Sequence, residues 1–503
     1  MVDLRVAGEP HHDENAAKAG GRRWTLQIIL PALVVAIVAG LRLWFDLAVP
    51  PMGDEAYYWI WGQRLAWSYF DHPPLDAWLQ GLVAAAFGWS NFSLRLLTWL
   101  TFAGTLAVFW AWARRIMPQN PWLFFWRTSA VFLTVPVIAL FTIQAVHDHL
   151  LVFFCVASLF FFWCFATDWE ERQAGVRSLY LAALLLGLAA LSKYNGALLG
   201  LGFAACFAVR PRLWSALRTP HPYLAALLAV ALQAPVIYWN LTEGFASLHF
   251  HLVERPSGHW GRPDLRQVLN FLWQGIIAAG PVLVLGALRL PWLMRQQSEK
   301  IQRALALSVF FASTIAVACV AAFTDVLLHW NMVAYVGLAL AGFWVLSRWW
   351  LFWPHVLITL YLLTVSVWNY AVAPISLPGF VDSGTAANYG WDQVALAVQA
   401  AERDHPQAFL AATKYNYAAQ LAVQLHTVDV TAINPLRSQY DLWWDAAANA
   451  GKDAIIVGDK RNPIELSSPA FRTVTKLADV PVMRGGEQIW TFEIYLGEGY
   501  AKP

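Results

Sequence analysis

The sequence predicts a polytopic α-helical membrane protein with a small α/β domain at its C-terminal end. Three observations carry this. Of the 503 residues, 58% are hydrophobic and 13% are charged, against roughly 25% charged in soluble domains. Long apolar runs recur along the first three-quarters of the chain, each near the ~20 residues that cross a hydrocarbon core. The 29 Trp gather near the ends of those runs, as interfacial belts do.

Taken in order, a polar N-terminal tail (1–23) precedes about eleven apolar segments. They fall near 24–47, 93–113, 122–143, 150–167, 178–192, 196–209, 222–239, 267–289, 304–323, 331–347 and 351–371. The segments 24–375, with the first outer loop 49–92, form one bundle. The first of them reads as an uncleaved span rather than a cleavable leader. The net charge of +2 and scattered basic residues provide no stripe for nucleic acid. The cysteines Cys155, Cys164, Cys206 and Cys319 lie in apolar runs and read as small buried hydrophobes.

Basic residues set the orientation. Lys18, Arg22 and Arg23 begin an alternation that continues through Arg114 and Arg115, Arg172 and Arg177, Arg210 and Arg212, and Lys300 and Arg303. These loops belong on the cytoplasmic side. The intervening loops hold Asp54, Glu55, Asp71, His147, Asp148, His149, His249, His251, His259 and His329. An odd number of spans leaves the C-terminal segment 376–503 outside, in the periplasm of a bacterial inner-membrane protein. There 408–412, 427–430 and 454–457 read as strands, and 391–401 and 416–425 as helices. The first outer loop holds two candidate helices, 54–68 and 74–87, expected to lie on the membrane surface.

Candidate chemistry clusters on the outer side. Asp54 and Glu55 follow the first span; adjacent helical positions diverge by ~100°, so one carboxylate can face a cavity while its neighbour caps the helix. A preference for the helix N-terminus explains both equally well on position alone. In Asp71-His72-Pro73-Pro74, the two prolines force an extended entry that presents Asp71 and His72 from the backbone. A carboxylate beside an imidazole suits metal binding or proton transfer. His147-Asp148-His149 lies at the mouth of two spans, where charge is unusual. Lys193, in Ser192-Lys193-Tyr194-Asn195, breaks the positive-inside trend and suits a lipid phosphate. His249, His251, Glu254, Arg255 and His259 follow, with Arg255 a candidate for bidentate phosphate contact. Their spacing matches no zinc motif.

Asp54-Glu55-Ala56-Tyr57-Tyr58-Trp59 and Tyr69-Phe70-Asp71-His72-Pro73-Pro74-Leu75 together resemble the first outer loop of bacterial GT-C glycosyltransferases. The similarity is to the group of protein O-mannosyltransferases and the lipid A aminoarabinose transferase. Leu191–Gly196, His329-Trp330 and Lys414–Ala419 also resemble recurring features of that group. The resemblance implies a GT-C fold and a polyprenyl-phosphate sugar donor. It also implies an envelope acceptor (lipid A or its core, another glycolipid, or a protein) and a catalytic acid at Asp54. The aminoarabinose transferase has a glutamate–lysine pair where this chain has Asp71-His72, so its sugar is not carried over.

The resulting site hypothesis assigns catalysis to Asp54 as general base, with Glu55 and Asp148. Lys193, Arg255, His72 and Tyr194 contact the donor phosphate. Tyr57, His329 and Trp330 contact substrate. Asp71, His251 and His259 form a candidate set for a divalent metal ion, with no cofactor otherwise required. A lipid-linked sugar flippase and an O-antigen ligase-like transferase are the rival readings. The absence of an inverted repeat and the placement of ionisable groups at one rim disfavour transport.

Overall fold

A computed structural model describes residues 14–254, 262–294, 296–377, 380–433, 437–466 and 468–501. Among them, five helices are long and apolar enough to cross a membrane: Leu26–Ala48, Asn91–Ile116, Asp148–Arg172, Gln297–Ala321 and Trp349–Ala371. Three further candidates are bent pairs. Tyr194–Val209 meets Pro211–Arg218 at 109°, His221–Ala231 meets Ala234–Thr242 at 44°, and Leu265–Ala279 meets Pro281–Ala287 at 99°. Each bend has a proline in the first turn after it: Pro211, Pro235 or Pro281. Proline lacks the N–H for the helical ladder and clashes with the preceding turn.

The remaining segments of the expected eleven are short or interrupted helices. Pro121–Leu133 breaks before Pro136–Phe141, Val176–Ser192 is a single run, and Met332–Ala339 breaks before Gly342–Val345. Apolar content therefore locates the helices, while local breaks reduce the uninterrupted spans to five. Helix starts follow local chemistry. Ser90 accepts from the Ser93 amide at 3.1 Å, and Asn120 accepts from Leu123 at 3.3 Å with Pro121 next to it, satisfying amides that have no helical partner. Asp148–Arg172 is the central helix, 83% buried over its most apolar window. Cys155, Cys164 and Cys206 are buried as expected, whereas Cys319 is exposed on the flank of the helix Gln297–Ala321.

The outer loop departs from its expectation. Its helices are Gly53–Gln63 and Leu75–Phe87, but the first does not lie on a surface. Residues Glu55 to Gly62 are all buried. This run includes Tyr57, Tyr58, Trp59 and Trp61, which leave no polar face to turn toward water.

Beyond the last span, a mixed sheet runs in the order Val430–Ala432, Phe409–Ala412, Ala454–Asp459, Glu487–Glu498, Thr473–Arg484. The first three strands are parallel and the last two antiparallel. The helices Trp391–Asp404 and Tyr415–Leu425 accompany the sheet, as the alternation predicts. The long hairpin Thr473–Glu498 was not expected. Its turn is Gly485-Gly486, at φ 57° and 84°, the left-handed pair that two-residue hairpin turns demand.

This outer unit clamps the first loop. The Gln420 side chain donates to the Pro51 carbonyl at 2.5 Å, the Gly53 amide donates to Asn388 at 3.0 Å, and the Phe70 amide donates to Gln439 at 2.8 Å. The Gln439 amide donates to the Tyr57 hydroxyl at 2.9 Å. A Cβ on Gly53 would sit 2.9 Å from Asn416 Nδ2, so glycine there permits the close approach.

Candidate active site

The loop and the outer unit enclose, with the bundle, a cavity of about 730 Å³. Three sources line it. Asp54, Tyr57, Tyr58, Phe70, Asp71 and His72 come from the first loop. Phe141, Gln144, Val146, His147, Asp148, Lys193, Phe250, Leu327 and His329 come from the bundle. Tyr415, Arg437 and Ser438 come from the outer unit.

Asp54 sits in the first turn of its helix and its side chain opens into the cavity. Enclosure by protein raises its pKa above the ordinary carboxylate value. Lys414 and a hydrogen bond donated by Tyr415 at 3.4 Å oppose that rise, and Glu55 adds to it. A carboxylate made more basic in this way is suited to accept a proton.

Glu55 faces the other way and is fully buried. Arg95 donates to both of its carboxylate oxygens, at 3.1 and 2.7 Å. The Ala145 amide donates to Oε1 at 2.8 Å and the Met52 amide to Oε2 at 3.0 Å. Arg95 also binds the carbonyls of Val49 and Pro50 at 2.8 and 3.1 Å. Glu55 thus ties the end of the first span, the loop and the Ala145 turn together. It does not reach the cavity, and the catalytic assignment for Glu55 is withdrawn.

Asp148 and Lys193 do reach it, joined to each other. Lys193 Nζ donates to Oδ1 and Oδ2 of Asp148 at 2.9 and 2.8 Å, with both side chains about nineteen-twentieths buried. Buried charges persist when paired in this manner. An ammonium has three donors; two are turned to Asp148. Lys193 holds its place because the helix Val176–Ser192 ends on it in extended backbone.

His72, Tyr57, Asp71 and His329 line the cavity, as the sequence suggested. Three others do not. The Tyr194 hydroxyl is 2.8 Å from Ser247 Oγ, behind the wall. The Trp330 carbonyl accepts from Asn195 at 2.5 Å, and its ring packs near Phe271 and Val317. His251 Nε2 lies 2.9 Å from the Asp71 carbonyl. Arg255 and His259 lie outside the described residues. Among the described residues no group of three His, Cys, Asp or Glu side chains is arranged to hold a metal ion, so no step is assigned to one.

Sequence reasoning missed Arg437 and Ser438, which carried no local signal, and gave Tyr415 no role although its motif was noted. Arg437 is exposed at the cavity and lies over the Phe70 ring at 5.4 Å.

The fold is of the GT-C type. Residues 71–239 match the family model described as dolichyl-phosphate-mannose-protein mannosyltransferase. The chain is 27% identical over 338 residues to the lipid A galacturonosyltransferase RgtD of Rhizobium johnstonii, covering 64% of this chain and 67% of that one. Its fold is shared with ArnT from Cupriavidus metallidurans bound to undecaprenyl phosphate: TM-score 0.62, 16% identity, 94% of this chain and 98% of that one. Against the apo state of the same protein the TM-score is 0.57 at 17% identity, covering 95% and 98%. In fold, and over these parts of its sequence, the chain is thus similar to GT-C glycosyltransferases of the protein O-mannosyltransferase and lipid A-modifying group.

Proposed function

We propose that the protein transfers one sugar from a polyprenyl-phosphate donor to a lipid A-type glycolipid, at the periplasmic face of the inner membrane. The observation that carries this reading is the placement of Asp54 and the Lys193–Asp148 pair on the walls of one cavity. A base for the acceptor and a cation for the leaving group belong on opposite sides of a displaced carbon. In this scheme the acceptor hydroxyl gives its proton to Asp54 as its oxygen bonds to the anomeric carbon. The bond from that carbon to the phosphate oxygen breaks, and the lipid phosphate leaves with the electron pair. Preorganised cations stabilise that developing charge. Lys193 provides its remaining N–H, and Asp148 acts by holding Lys193 in place. Arg437 meets the phosphate from the outer unit, and Tyr57, His72 and His329 contact sugar or acceptor.

The acceptor class follows the name of the 27% identical relative, and the donor class follows the ligand of the ArnT structure. The periplasmic placement rests on the distribution of basic residues. Mass spectrometry of envelope glycolipids, with the gene present, deleted, and restored as Asp54→Asn, tests the reading. One monosaccharide is expected to disappear on deletion and to stay absent with the variant. A glycolipid profile unchanged by deletion would rule out the proposed transfer.

A further inference from the structure

His147 and His149 flank the cavity's Asp148, and the scheme above gives neither a role. Both are buried, and both turn toward Asp76 on the helix Leu75–Phe87, which is 0% exposed. Asp76 Oδ2 is 3.4 Å from His147 Nδ1, and Asp76 Oδ1 is 3.9 Å from His149 Nε2. Both oxygens of Asp76, both nitrogens of His147 and Nε2 of His149 are buried with no formed hydrogen bond. Leaving that many polar atoms unserved in one place is costly, so their protonation has to be mutually consistent.

His149 can be assigned from its other side. The Thr101 hydroxyl has one proton, directed at the Leu97 and Thr98 carbonyls at 3.0 and 3.1 Å. Toward His149 Nδ1, 3.1 Å away, Thr101 therefore accepts, and Nδ1 carries the hydrogen. Nε2 of His149 then offers a lone pair to Asp76. An ionised Asp76 would face that lone pair across 3.9 Å, with Asp148 also near. A protonated Asp76 would instead have two imidazoles able to accept from it.

We infer that Asp76 is a positioning residue whose neutral carboxyl donates to His147 Nδ1, fixing the imidazole, in the tautomer with its hydrogen on Nε2, in the wall of the cavity that would receive the donor phosphate. His147 lines that cavity and packs edge-on against Tyr58 and His72, at 4.0 and 4.2 Å between ring centres. The phosphate itself rests on the transferase reading; the proton arrangement does not. Burial, with Asp148 adding, lifts Asp76 to about 7. Burial, then Lys193, keeps His147 far below its ordinary value, near 3. The shared proton thus resides on the acid. Above the Asp76 pKa that proton leaves to solvent, the imidazole proton of His147 moves to Nδ1 to meet the carboxylate, and the ring is no longer held in its first tautomer. The titratable and charged groups facing this trio are Asp148 and Lys193 beside His147, His72 and Tyr58 across its ring, and Arg42 toward His149.

Two measurements on the full chain in lipid nanodiscs test this. The first needs no ligand. Infrared difference spectra between wild type and Asp76→Asn are expected to show a protonated-carboxyl stretch that disappears as pH rises through about 7. A His147 ring mode should shift over the same interval and be absent in His147→Gln. The second is binding of undecaprenyl phosphate. Asp76→Asn, whose amide still donates to Nδ1, is expected to bind as wild type does at pH 6 but to lose the alkaline weakening. Asp76→Ala and His147→Gln should each bind about tenfold more weakly. An Asp76 ionised across the whole pH range, or an Asp76→Asn protein as weak as Asp76→Ala, would overturn the inference. A wild type that shows the titrating band but binds no undecaprenyl phosphate would sink the donor reading, leaving the Asp76–His147 proton arrangement in place.

Discussion

Asp54 and Glu55 are neighbours in the chain and belong to two different regions of the molecule. On the cavity side, Asp54 has one long hydrogen bond, 3.4 Å from Tyr415, and a pKa raised by enclosure. On the bundle side, Glu55 receives four short hydrogen bonds, two of them from the Arg95 guanidinium. The same functional group is left reactive in one place and locked in the other. The ~100° between successive helical residues is enough to separate them. A carboxylate whose hydrogen-bonding capacity is full cannot take up a substrate's proton without losing those bonds, whereas an under-coordinated one can.

The largest effect that can break this comparison is on the rate. Asp54→Asn should lower transfer by ~10²–10⁴-fold, the usual range for a lost general base, with unchanged yield and melting behaviour. Single-turnover assays on purified protein measure it, and full activity would remove Asp54 from the chemistry. Glu55→Ala should act on stability instead. Leaving buried Arg95 with only Asp46, 3.9 Å away, as counter-charge costs about 3 kcal/mol, seen as poor extraction and a lowered melting temperature. A stable but inactive variant would reverse the two roles.

The pH profile sharpens the contrast further. Asp54 must be ionised to act as a base, and its pKa is raised, so transfer should fall as pH drops through a value above the ordinary 3.8. Tyr415→Phe removes a hydrogen bond that favours the ionised form. The acid limb should therefore move to higher pH, while Glu55 variants that still fold leave it in place. The smallest effect is expected at Arg437. Because it is exposed, Arg437→Ala should raise the KM for the lipid-phosphate donor several-fold with little change in kcat, as for a screened charge contact, and the penalty should shrink as salt rises.

Much of this site was legible in the sequence. Asp54, Tyr57, Asp71, His72, Asp148, Lys193 and His329 stand out in the sequence as polar or ionisable groups beside apolar segments, and all line the cavity. Polar and ionisable residues stand out at the edges of apolar segments because lipid tolerates so few of them. Tyr194, Trp330 and His251 share those edges but point elsewhere, into contacts with Ser247, Asn195 and the Asp71 backbone. Exclusion from lipid predicts the side of the membrane and says nothing about the direction of a side chain.

Composition and hydropathy alone establish that the chain is a helical membrane bundle, where its apolar helices run and that its ionisable residues gather at the ends of those runs. Those properties depend on composition within ~20 residues. The tertiary structure decided the rest: that Glu55 belongs to Arg95, that Lys193 belongs to Asp148, and that Asp76 lies beneath His147. It also brought Tyr415 to Asp54 across 361 residues of chain. Which of two adjacent carboxylates reacts depends on what surrounds each of them, and those surroundings are assembled from distant segments that no local pattern records.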